Sequence, residues 1–125
     1  MKKVINSPLA PAPIGPYSQA IKHGNTLFVS GQIPINQQTG ELIEGSIEEE
    51  TEQVMKNLGY ILEEAELTFE HVLKCSIFVS SMEDFAKINA VYGKYFSKNA
   101  PARETVEVST LPKNVNVEIS CIAGY

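Results

Sequence analysis

Two strand-like segments of this chain are apolar on both of their faces, although the sequence offers only two helices to cover them. Residues 72–80, Val72-Leu73-Lys74-Cys75-Ser76-Ile77-Phe78-Val79-Ser80, put Phe78 on one parity against Cys75, Ile77 and Val79 on the other. Residues 26–31 do the same, with Phe28 against Leu27 and Val29. Side chains of a strand alternate between two faces, so a sheet built on these segments is apolar on both sides. Two helices can cover one side, and the other side calls for a further layer. Self-association is the economical solution, and pockets at its seams would combine residues of two subunits.

The helices are readily placed. Ser46 followed by Glu49 is a capping box, and the acidic residues 48–50 suit the positive end of the helix dipole. Val54, Leu58, Ile61, Leu62 and Ala65 then form one buried stripe, with Gly59 marking a close approach. A second helix is expected over about 82–98, with Phe85, Ile88, Tyr92, Tyr95 and Phe96 as its core-packing stripe.

Prolines at 8, 11, 13 and 16 make residues 7–16 an extended lead-in. Strands 17–22 and 26–31 follow as a hairpin turning at Gly24-Asn25, and residues 37–40 read as another turn. Strands 103–108 and 115–122 close the chain around a turn at 111–114. The order is a β-hairpin, a βαβ unit, then a helix and two strands. This predicts one α+β domain over residues 1–125, a two-layer sandwich with a single mixed sheet of about six strands and both helices on one face.

The net charge of −5 argues against a nucleic-acid binder, because phosphate neutralisation needs a basic surface. Cys75 and Cys121 lie in apolar strands without a C-x-x-C spacing and read as reduced core thiols. His23 and His71 have no second ligand at metal spacing and read as exposed or capping residues. No run approaches the roughly 20 apolar residues of a membrane span, and Met1–Asn6 does not read as a signal peptide. The expected location is the cytoplasm.

In 115–122 the residues Val115, Val117, Ile119 and Cys121 point to the helices, leaving Asn116, Glu118, Ser120 and Ile122 on the other face. In 103–108, if Val106 and Val108 take the core side, Arg103, Thr105 and Glu107 take the opposite one. On that reading Arg103 and Glu118 share the face away from the helices, a carboxylate grip beside an acid/base group. A structural ion pair, Arg103 with Glu104 or Glu107, remains the competing reading.

The segments Gly15-Pro16-Tyr17-Ser18-Gln19-Ala20, Val29-Ser30-Gly31-Gln32-Ile33-Pro34, Ile88-Asn89-Ala90-Val91-Tyr92, Pro101-Ala102-Arg103, Leu111-Pro112-Lys113 and Val117-Glu118-Ile119 fall in order along the chain. Together they closely resemble the Rid (YjgF-type) family, particularly its RidA group. The resemblance implies a homotrimer with a chorismate-mutase-like fold. Its intersubunit clefts hydrolyse small 2-imino acids to 2-keto acids and ammonia, with no metal or cofactor. It implies that Arg103 holds the substrate carboxylate and Glu118 activates water. Tyr17, Ser30, the Gly31 backbone and Asn89 would line the cleft, with Thr105 beside the arginine. Two positions depart from the RidA pattern: Thr105 stands where cysteine is common, and Ser120 where a second acidic residue is often found. A non-catalytic sensor of 2-keto acids is the alternative use of such a cleft, and a ribonuclease is disfavoured by the acidic charge and the lack of a histidine pair.

Overall fold

The computed structural model describes residues 1–125. Along the chain run β1 (Lys3–Ile5), β2 (Ala20–His23), β3 (Thr26–Gln32), β4 (Ile35–Asn36), β5 (Glu41–Leu42) and α1 (Ile47–Glu64). Then come β6 (Val72–Val79), α2 (Phe85–Tyr95), β7 (Ala102–Glu107) and β8 (Val117–Gly124). Six strands form one sheet in the order β1-β2-β3-β8-β6-β7, while β4 and β5 make a small separate hairpin. Only β6 and β7 run parallel, so the sheet is mixed as expected. No helix is long and apolar enough to cross a membrane.

Both helices lie on one face. Val54, Leu58, Ile61 and Leu62 of α1 meet Leu27, Val29, Ile77, Val79, Val117 and Ile119 of the sheet in one core. Ser46 caps α1 through the reciprocal box with Glu49. Gly59 permits the close approach anticipated for it: a Cβ there would lie 3.1 Å from the Phe69 ring. The core is tied to β8 by a buried carboxylate, Glu50, which accepts from the Asn116 amide and from Asn116 Nδ2 at 3.0 Å. Cys75 and Cys121 are buried, unbridged and directly opposed across β6 and β8.

Several boundaries moved. The second helix was expected over 82–98 but occupies 85–95, after one tight turn at Met82–Asp84. It stops because Phe96 leaves helical geometry to pack on Tyr92 and Phe69, and Pro101 disfavours helix just upstream. The strand expected at 17–22 begins only at Ala20, since Gln19 turns inward to hold the proline-rich lead-in. Its Oε1 accepts from the Ser7 amide at 2.7 Å, and its Nε2 reaches the Ser7 and Pro11 carbonyls at 3.1 and 3.0 Å. The last strand runs two residues later than expected, and β1 is an edge strand too short to show a sequence pattern.

Candidate active site

Register overturns the expectation that Arg103 and Glu118 share a face. Arg103 pairs with Cys75, and Cys75 pairs with Cys121, so all three point to the helix side. Glu118 pairs with Phe78, which also pairs with Val106, so these point to the outer side. Val106 is 42% exposed there, and Thr105 and Glu107 sit on the helix side with Arg103. The expectation failed because β7 is an edge strand whose register with β6 turns Glu104 and Val106 outward and Arg103, Thr105 and Glu107 toward the helices.

The Arg103 half of the site is built by β7 and α2. Arg103 Nη1 donates to Asn89 Oδ1 at 2.6 Å, and the guanidinium carbon lies 5.0 Å from the Tyr92 ring centre and 5.6 Å from that of Phe85. Arg103 makes no ion pair within the chain; Glu104 instead binds Lys74 at 3.1 Å and accepts from Ser76 Oγ. Those two contacts, Ser76 foremost, hold the Glu104 carboxyl below its usual range. The competing ion-pair reading of Arg103 is thereby removed. A cleft beside the guanidinium is lined by Asn89, Tyr92, Phe96, Ala100 and Pro101. Thr105 lies two residues farther along the same face, its Oγ1 buried without a hydrogen-bond partner.

The Glu118 half forms where β2, β3 and β8 meet. Between Val29 and Gln32 the β3–β8 register slips by one residue, so Ser30 and Gly31 together face Ser120. Such a bulge re-aims the backbone. Ser30 Oγ donates to the Ser18 carbonyl at 2.6 Å, fixing the loop that carries Tyr17. Tyr17 is half exposed and lines adjoining grooves with Ser30 and Gly31. Gly31 gives the carboxylate its place: a Cβ there would sit 2.0 Å from Glu118 Oε2, and the glutamate side chain would have to move. Glu118 itself is half-buried and has no cation beside it, and burial alone raises its carboxyl above the ordinary value.

The predicted residues therefore fall into two groups, Tyr17, Ser30, Gly31 and Glu118 on one side of the sheet and Arg103, Asn89 and Thr105 on the other. Neither group alone combines a carboxylate grip with a proton acceptor. Phe85 and Tyr92 were read only as core stripe; their spacing from Asn89 on α2 was the signal that they also meet Arg103.

The family model described as Endoribonuclease L-PSP matches residues 7–125. The chain belongs to that family, the Rid (YjgF-type) proteins. A RutC family protein of Pyrococcus horikoshii is 53% identical over 98% of each chain. A Rid relative from Dermatophagoides farinae named 2-iminobutanoate/2-iminopropanoate deaminase is 45% identical, over 97% of this chain and 94% of its own. The crystal structure of Escherichia coli TdcF with bound serine superposes with a TM-score of 0.94 at 36% identity, covering 98% of each chain.

Proposed function

We propose that this Rid protein is a homotrimer that hydrolyses small, reactive 2-imino acids such as 2-iminopropanoate and 2-iminobutanoate to 2-keto acids and ammonia. The supporting observation is the division of chemistry across the sheet: an unpaired guanidinium on one face and an unpaired, half-buried carboxylate on the other. A second copy laid on the outer face would set one protomer's Arg103, Asn89 and Thr105 against the next protomer's Tyr17, Ser30, Gly31 and Glu118. It would also cover the apolar residues exposed there, Phe28 and Val106. The deaminase name of one relative and the amino acid bound by another fit a small carboxylate substrate.

In that seam Arg103 grips the carboxylate through two parallel N–H donors, which also fixes the imine carbon. That carbon is already electrophilic. Glu118 takes a proton from water as the C–O bond forms, then returns it to nitrogen as the C–N bond breaks. The substrate enters as the protonated iminium, and transfer of the remaining hydroxyl proton to the departing ammonia leaves the keto acid and an ammonium ion. Such acid/base help contributes roughly 10²–10⁴-fold, and positioning adds to it. Tyr17, Ser30 and the Gly31 backbone bound the substrate on the Glu118 side. The family's endoribonuclease description fits these residues less well. His71 is spent as a cap, accepting from the Thr68 amide at 3.1 Å, and His23 is exposed at the hairpin end.

The test generates imines in situ with an amino-acid dehydratase or oxidase and follows keto-acid release. Wild type should accelerate it, and Arg103→Ala should lower kcat/KM about 10²-fold, the worth of a bidentate charged contact. Binding of 2-oxobutanoate without any acceleration would overturn the enzyme reading in favour of a 2-keto-acid sensor.

A further inference from the structure

The guanidinium of Arg103 stands on an exposed edge strand, where a long side chain ordinarily keeps most of its rotamer freedom. Here one stripe of α2 restrains it. Phe85, Asn89 and Tyr92 are spaced i, i+4 and i+7, and all three meet the same group. Both rings lie within the roughly 6 Å at which a cation is drawn to an aromatic face. That attraction uses no N–H, and Asn89 takes only one, so the remaining donors stay available to a carboxylate.

Tyr92 is buried, and its hydroxyl lies beside the Cys75 thiol without a hydrogen bond of normal geometry. Burial, and then the neighbouring Cys75, keep the phenol protonated far above the ordinary tyrosine range. Tyr92 therefore presents a neutral ring to Arg103, and the only group beside its hydroxyl is the Cys75 thiol.

We propose that Tyr92 and Phe85 are positioning residues, an aromatic cradle that with Asn89 presents Arg103 to the substrate carboxylate. This rests on the role given to Arg103 above. A preorganised guanidinium loses less freedom when the ligand arrives, so the cradle acts on affinity rather than on the chemical step.

The test compares Tyr92→Leu, Tyr92→Phe, Arg103→Ala and the double variant Tyr92→Leu/Arg103→Ala, reading KM and kcat for 2-iminobutanoate and Kd for 2-oxobutanoate. Tyr92→Leu should raise KM and Kd about two- to fivefold with kcat held, the size of an exposed cation–π contact. Tyr92→Phe, which keeps the ring, should rescue both. In the Arg103→Ala background the leucine substitution should add nothing. Equal constants for the leucine and phenylalanine variants, or an undiminished effect without Arg103, would overturn the cradle. If Tyr92→Leu does not fold, Phe85→Leu at the start of α2 carries the same expectation and the same refutation. Should Arg103→Ala bind and turn over like wild type, the fault would lie in the underlying assignment of Arg103.

Discussion

Arg103→Ala and Glu118→Gln, each expected to lose most activity under the proposed function, should restore one another when their protomers mix. The reason is geometric. Arg103 stands opposite Cys75 and Glu118 opposite Phe78, on opposite faces and three positions apart along β6. Three residues of strand span about 10 Å, and the sheet itself lies between the side chains. On the proposed function, a complete site needs the Arg103 half of one copy and the Glu118 half of the next. In an equimolar random mixture each half is intact in every second protomer, so about a quarter of the seams are whole. The mixture should therefore show about a quarter of wild-type activity, where either parent alone shows almost none. The assay co-refolds the variants from denaturant, recovers the oligomer by size exclusion and measures initial rates of keto-acid release. A companion mixture of wild type with the Arg103→Ala/Glu118→Gln double variant sharpens the result. It should also give about a quarter of full activity for a divided site, against about half for a site within one chain. If mass spectrometry confirms protomer exchange and the first mixture stays at the parental level, the division of the site is refuted.

Substituting Gly31→Ala should displace the Glu118 carboxylate, because the new Cβ would overlap Oε2. A shift of about 1 Å in a reacting group lowers kcat roughly 10–100-fold; unchanged kcat in steady-state assays would show that the carboxylate is not poised there. Replacing Gln19 by alanine removes the buried bonds to Ser7 and Pro11, at a cost of about 2–3 kcal/mol, read as a lower urea midpoint. Glu118 has a raised folded-state pKa, so it favours the fold fully below the unfolded value and loses that contribution as pH rises through the folded one. Glu118→Gln should accordingly gain stability over wild type at pH 7 and lose that advantage toward pH 4 in chemical denaturation; an advantage independent of pH would point to a cause other than ionisation.

Much of the fold was legible because local signals and burial agreed. Ser46 and Glu49 name the start of α1, and the Val54–Leu62 stripe names its buried face, since helix periodicity ties spacing to direction. The alternation of β8 was equally clear, because its core side is occupied by Val117, Ile119 and Cys121 without exception. The ends of elements were less legible. Gln19 ends the proline-rich lead-in through contacts to residues 8–12 positions away, which no local pattern encodes. Phe96 closes α2 by packing on Phe69, a partner still farther away along the chain.

The candidate site divides along the same line. Arg103 and Glu118 stood out in the sequence as charges in strands, and the family resemblance of the motifs around them suggested a chemical task for each. Alternation also fixed the relative parity within β7, so Arg103, Thr105 and Glu107 correctly share one face. What alternation could not supply is which face that is. A strand's absolute orientation is set by its register with a neighbour, here β7 on β6, and that pairing depends on contacts some 30 residues apart. An edge strand is covered too lightly for its own valine to mark the core. The sequence by itself thus determined both helices, the principal strands, the apolar residues on both faces of β3 and β6, and the two charged residues. Only the tertiary structure decided that those residues lie on opposite sides of one sheet, because long-range pairing alone relates one strand's alternation to another's.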